Sequence, residues 1–196
     1  MLKRKFTRVT FSEETDVKEK NMTSFKDIYQ ADVQRSKAEW GGYLRVWYFL
    51  FRKSQNSSIV FLRNIYKFLF RLHSNRRGLE IGSQTKIGKG LYLGHAYNIT
   101  INPNVIIGMN CNIHKGVVIG QTNRGKNKGT PVIGDQVWIG INAAIVGNIT
   151  IGNDVLIAPN SYVNCDVPSH SVVFGNPCII KHKESATEGY VNNIVH

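Results

Sequence analysis

Ile81-Gly82-Ser83-Gln84-Thr85-Lys86-Ile87-Gly88-Lys89-Gly90-Leu91-Tyr92-Leu93-Gly94 sets out one pattern three times, an aliphatic residue followed by glycine at an interval of six. The register resumes at Ile101, Ile107, Ile113 and Ile119, and again at Ile133, Ile139, Ile145, Ile151, Ile157 and Val163. A fixed short period means a solenoid, and a hexapeptide period means a parallel β-helix in which three hexads close a triangular coil. Each aliphatic residue is expected to point into the shaft, with glycine letting the backbone turn tightly at the corners.

The register breaks twice. Leu93 to Ile101 is eight residues and Ile119 to Ile133 is fourteen, two and eight more than the period allows. Removing those ten from the 64 between Ile81 and Ile145 leaves 54, which is three coils of eighteen. Both insertions are therefore excursions from one continuous shaft. The first follows His95. The second spans residues 121–131 and is polar, glycine-bearing and cationic. Loops on a rigid scaffold are where binding and catalytic groups concentrate.

Outward from the shaft, four segments are expected. Residues 1–24 read as a flexible polar N-terminus, 25–78 as an α-helical region, 79–168 as the β-helix with its excursion loop 121–131, and 169–196 as a closing segment and tail. The helical pattern runs from Phe25 to Leu72 and is interrupted at Gln55-Asn56-Ser57-Ser58, with Ser57 or Ser58 as the cap of the second helix. The net charge of +12 is concentrated here: residues 1–80 hold 17 Lys and Arg against 8 Asp and Glu. In the second helix Arg63, Lys67 and Arg71 recur every four residues, on one face. The aromatic-rich stretch Tyr43–Phe51, flanked by cations, leaves two readings open. These helices pack on each other and on neighbouring subunits, or residues 43–72 lie peripherally on an anionic membrane face.

Several classes are excluded. Cys111, Cys165 and Cys178 form no CxxC pair and no zinc spacing, and Cys111 falls at a small-residue position as a buried thiol. An odd cysteine count without a disulfide framework fits a reducing cytoplasm. No secretory signal is expected, and no apolar run is long enough to span a bilayer. No nucleic-acid motif accompanies the basic charge.

Lys86-Ile87-Gly88-Lys89-Gly90-Leu91-Tyr92-Leu93-Gly94-His95, Val118-Ile119-Gly120-Gln121-Thr122, Val137-Trp138-Ile139-Gly140 and the closing Asp166-Val167-Pro168 with Gly175-Asn176-Pro177 together resemble the left-handed β-helix (hexapeptide-repeat) acyltransferases. The likeness is to the serine acetyltransferase-like branch, which includes O-acetyltransferases of capsular and surface-polysaccharide biosynthesis, and it covers about residues 75–181. It implies an all-β solenoid, a left-handed parallel β-helix with an N-terminal α-helical segment. It also implies an acetyl-CoA-dependent O-acetyltransferase working at the subunit boundaries of a cytoplasmic homotrimer. The helical part is much shorter than in serine acetyltransferases, so their paired trimers are not carried over.

Acyl transfer from a thioester to an alcohol needs a base, and histidine suits that work near neutral pH. His95 matches the family's catalytic histidine. Glu80, fifteen residues earlier, stands where serine acetyltransferases carry the aspartate that pairs with it, which implies a Glu80–His95 dyad. The aspartate that usually precedes the histidine is Gly94 here. His114 would project outward one coil later, as a contact to acceptor or donor. The resemblance places the donor groove around Trp138, Gly140, Ala143 and Ala158, with Arg124, Lys126, Lys128, Lys181 and Lys183 as partners for the coenzyme A phosphates.

Before Pro131 the chain has Gly129-Thr130 in place of the Arg-His pair that holds the amino acid carboxylate. With Arg124 and Lys128 nearby, Thr130 marks an acceptor contact. The substitution favours a sugar hydroxyl, met at the inner membrane face; the alternative is serine O-acetylation for cysteine synthesis. A zinc enzyme of the β-helix type lacks a third histidine in register, so no metal is expected. A non-catalytic scaffold is the remaining class.

Overall fold

The computed structural model describes residues 24–36 and 41–196. The stretch expected to be flexible lies outside the described residues apart from Ser24. The shaft has three parallel faces. The first sheet stacks β1 (Leu79–Ile81), β4 (Ile99–Ile101), β7 (Val118–Gly120), β10 (Ala144–Val146) and β13 (Tyr162–Val163). The second stacks β2 (Lys86–Ile87), β5 (Ile106–Ile107), β8 (Val132–Ile133) and β11 (Thr150–Ile151). The third stacks β3 (Tyr92–Gly94), β6 (Asn112–His114), β9 (Trp138–Ile139), β12 (Val155–Ile157) and β14 (Ser171–Phe174), and the antiparallel β15 (Ile179–His182) closes it. This is the parallel solenoid the hexads predict.

The register confirms both insertions. Ile81 pairs with Ile101, Ile119 with Ile145 and Leu93 with Ile113, so each aliphatic residue stacks on its counterpart one coil along. These residues are all buried. Burying each is worth about 1.5–3 kcal/mol, and the repetition gives one continuous core. The two extra residues sit between β3 and β4, and the eight extra sit between β7 and β8.

The hexad glycines act differently from the expectation. Gly88, Gly108 and Gly134 have ordinary φ, and what they supply is closeness: a Cβ on Gly88 would meet Gly108 O at 2.7 Å in the next coil. The left-handed corners fall instead to Asn98, Asn110, Gln136, Asn142, Asp154 and Asn160, with Gly90 and Gly116. Short polar side chains tolerate that region by bonding locally.

Among the described residues three helices cover the first coil: α1 (Phe25–Arg35), α2 (Gly41–Asn56) and α3 (Val60–Asn75). Ser24 and Asp27 form a reciprocal capping box on α1. For α3 the expected serine cap is absent; Ile59 holds the N-cap position with no side-chain bond. The aromatic residues of α2 are core, which corrects the membrane reading for that segment. Leu44, Trp47, Tyr48 and Phe51 are buried at helical spacing, Trp47 Nε1 donates to Ser74 Oγ (2.9 Å), and Leu93 N donates to Tyr48 Oη (3.2 Å). On α3 the apolar side chains do face outward: Phe61, Phe68 and Leu72 are 73%, 62% and 50% exposed.

A polar clamp docks helices to shaft. Arg52 donates to both oxygens of Asp32 (2.8 and 3.2 Å) and to the carbonyls of Ile87 and Gly88 (2.7 Å each). Asp32 also accepts from Leu91 N at 2.9 Å, and Arg35 donates to Gly90 O, Asn112 Oδ1 and Asn192 O. Burial pushes the Asp32 carboxyl above its usual range, with the Arg52 guanidinium pulling the other way.

Candidate active site

His95 follows β3 at the edge where the third sheet hands over to the first. The imidazole is exposed, and the backbone holds φ at 51°, a region that costs a non-glycine residue about 1–3 kcal/mol. The corner is over-determined. Lys115 N donates to Gly94 O, Gly116 N to Tyr97 O and Asn98 N to Arg77 O, at 3.0, 3.0 and 2.8 Å. The two inserted residues thus lift His95 clear of the shaft, while hydrogen bonds to the coils on either side fix where it stands.

Glu80 occupies the outward position of β1, in register with Thr100. Thr100 Oγ1 donates to Glu80 Oε2 at 3.3 Å, which turns the carboxylate toward the coil that begins just after His95. Glu80 thus stands on the first sheet, in the strand stacked on the one that follows His95.

Beside that edge the third sheet presents a column of residues in register: Gly94, His114, Gly140, Ala158. Gly94 pairs with His114, and Gly140 packs so closely on the next coil that a Cβ would stand 2.9 Å from the Ala158 carbonyl carbon. His114 is half-buried, its ring 4.8 Å from Trp138 and 6.1 Å from Tyr92, centroid to centroid. Trp138 in turn meets Tyr190 of the tail at 5.1 Å. His114, Gly140 and Ala158 thus form one column on successive strands of the third sheet, with Trp138 beside it, and the column starts at Gly94, the residue before His95. Ala143 is not: its methyl lies fully buried in the interior stack with Leu79, Ile99 and Val117, so it offers no side chain to a ligand. Lys181 lies two coils further along the shaft, on β15, its ammonium 5.7 Å from the Phe174 ring. Lys183 is exposed just beyond.

The long excursion is a hairpin. Thr122 and Gly129 exchange backbone bonds at 3.0 and 2.9 Å, Asn127 Nδ2 donates to Asn164 O, and Thr130 Oγ1 donates to Asn104 O. Arg124, Lys126 and Lys128 are exposed on it. This loop leaves the far end of the first sheet, between β7 and β8, whereas His95 precedes the near end. One chain therefore keeps its loop and its histidine at different edges of the prism.

Sequence reasoning missed the C-terminal latch. Asp154 accepts from His170 Nδ1, Ala186 N, Thr187 N and Thr187 Oγ1, and Asn110 and Asn112 bind the tail at Val195 and Tyr190. Burial alone would raise the Asp154 carboxyl; the donors from Thr187, His170 and Ala186 outweigh it and hold the group below its ordinary value. Cys111 is buried as expected, its thiol pushed up to about 12 by that burial. Cys165 and Cys178, free thiols, lie 3.8 Å apart at the shaft's end. Among the described residues no group of acidic, histidine or cysteine side chains is arranged to hold a metal.

The bacterial transferase hexapeptide (six repeats) family matches residues 130–165. A serine acetyltransferase of Staphylococcus aureus is 39% identical over 112 residues, covering 57% of this chain and 53% of its own. The chain thus spans about half the length of the curated relatives it matches. Serine acetyltransferase of Neisseria gonorrhoeae, solved in complex with serine, superposes with a TM-score of 0.65 at 26% identity, over 86% of this chain and 73% of that one. The enzyme of Brucella abortus, solved in complex with coenzyme A, reaches a TM-score of 0.69 at 23% identity, over 86% and 72%, and speaks to the fold alone.

Proposed function

We propose that this chain is an acetyl-CoA-dependent O-acetyltransferase of the serine acetyltransferase type. The observation that carries the reading is the exposed, hydrogen-bond-fixed His95 corner beside the column of His114, Gly140 and Ala158. A long pantetheine arm runs along such a column, with its thioester toward the histidine. His95 takes the proton from the acceptor hydroxyl as its oxygen attacks the thioester carbonyl. Glu80 orients the imidazole and stabilises the imidazolium. Collapse of the tetrahedral intermediate breaks the carbon–sulfur bond, and the departing thiolate recovers the proton.

The comparisons favour serine as acceptor over the sugar expected from the sequence. Gly129 and Thr130, which leave the loop without a cation immediately before Pro131, are the observation that keeps a sugar as the second reading. Coenzyme A release measured with serine and with sugar acceptors tests this directly: the reading predicts turnover, and serine used far better than any sugar retires the second one.

The working unit is a homotrimer. The support is geometric, since only a neighbouring copy brings Arg124 and Lys128 of one chain's hairpin to another chain's His95 edge. The outward face of α3 rests on an anionic membrane surface in a cytoplasmic setting. Its support is the row Phe61, Ile65, Phe68 and Leu72 together with the absence of any Asp or Glu between Glu39 and Glu80. Self-pairing of that face would bring Arg63, Lys67 and Arg71 of each copy, which pair with no carboxylate among the described residues, toward one another.

A further inference from the structure

Arg63, Lys67 and Arg71 stand one turn apart along α3, about 6 Å per step. The acyl-transfer scheme gives them no part. A cavity of about 470 Å³ separates this helix from the turn after β1, with Lys67 and Arg71 on the helix side and Ser83 and Gln84 on the shaft side. Glu80 is the only acid in its wall. The cavity continues into a second of about 640 Å³, where Arg63 and Lys86 take over the wall and Lys67, Ser83 and Gln84 are shared.

Among the described residues none of the three helix cations pairs with a carboxylate. Arg63 Nε is buried with no hydrogen-bond partner. Cations aligned at this spacing without a counter-ion repel one another, and an anion lying along the groove removes that cost while gaining charge-assisted hydrogen bonds. Glu80 lines the same cavity, so a ligand held by the cations meets one member of the proposed acyl-transfer pair.

We infer that this groove binds an anionic group of the acceptor, with Lys67 and Arg71 as its ligands, so that the substrate is an alcohol carrying a carboxylate or a phosphate. The inference rests on the reading of Glu80 and His95 as the acyl-transfer pair. It makes Lys67 and Arg71 specificity residues, supplied by the helical region and not by the loop.

The test compares acceptors that differ only in charge: serine against serinamide, and N-acetylglucosamine 1-phosphate against N-acetylglucosamine. Each is assayed by coenzyme A release with the full chain. Calorimetry with pyrophosphate, which needs no turnover, runs beside it. One anionic acceptor should exceed its neutral partner at least ten-fold in kcat/KM, and which pair responds tells carboxylate from phosphate. The Lys67→Gln/Arg71→Gln double variant should raise the KM for that acceptor by about ten- to a hundred-fold and weaken pyrophosphate binding. The KM for acetyl-CoA should stay within two-fold, and Arg76→Gln, outside the groove, should change nothing. Neutral acceptors used as well as anionic ones, or an unchanged acceptor KM in a double variant of wild-type melting temperature, overturns the inference. So does a rise in the acetyl-CoA KM alone. If no acceptor is acetylated but pyrophosphate binds and the double variant loses it, the anion site stands and the acyl-transfer reading fails.

Discussion

The His114 imidazole lies over Gly94, so that a Cβ at residue 94 would run into its Nδ1 and Cε1. One residue before the proposed base, the chain has exchanged a side chain at 94 for a ring supplied by the next coil. That ring is wedged against Trp138, so it has little room to retreat. Gly94→Ala should cost about 1–3 kcal/mol of stability by overpacking. Combined with His114→Ala, much of the loss should be recovered. A urea-denaturation double-mutant cycle measures the coupling, and simple additivity would refute the contact.

The buried Asp32–Arg52 pair pins the helices to the first coil. Asp32→Ala leaves Arg52 buried without its anion and releases Leu91 N, so a loss of about 3–5 kcal/mol is expected. Asp32→Leu with Arg52→Met should recover a large part of it, as read by the same denaturation midpoints.

Acid should release the tail. The folded-state carboxyl of Asp154 lies below its ordinary 3.8, so its contribution is complete above that value and fades as pH falls through the folded one. Hydrogen exchange at Ala186 and Thr187 should therefore be protected at neutral pH and quicken in strong acid, beyond its intrinsic pH dependence. Asp154→Asn should show the fast exchange already at pH 7. Equal protection in that variant would count against the latch.

Much of this was legible in the sequence, for local reasons. The aliphatic period survives each excursion, so coil number and both insertions follow from counting alone. Cys111 and the outward placement of Glu80 follow from the same register. What was misread depends on contacts that no period records. The hexad glycines looked like turn formers, but their φ is ordinary and their role is closeness to the next coil. For Trp47, Tyr48 and Phe51 the sequence left packing and membrane contact both open, because the partners that decide it, Ser74, Phe70 and Leu93, lie on other elements. Ala143 looked like a groove residue, yet it shares the inward column of Val117. The latch through Asp154 joins residues more than thirty positions apart.

The outward face of α3 makes its own prediction. Sedimentation with phosphatidylglycerol-containing vesicles should carry the protein down, neutral phosphatidylcholine vesicles much less so. Phe61→Ser with Phe68→Ser should abolish the binding while leaving the fold intact, because both side chains are already exposed. A change in oligomeric state without any vesicle binding would show that a second copy covers the face instead.

His95→Ala is the most direct test of the central claim, that this imidazole is the base for acyl transfer. Coenzyme A release by the variant should fall about 10²–10⁴-fold, while acetyl-CoA binding and the melting temperature stay at wild-type values. Turnover preserved within a few-fold in the folded variant would contradict the account.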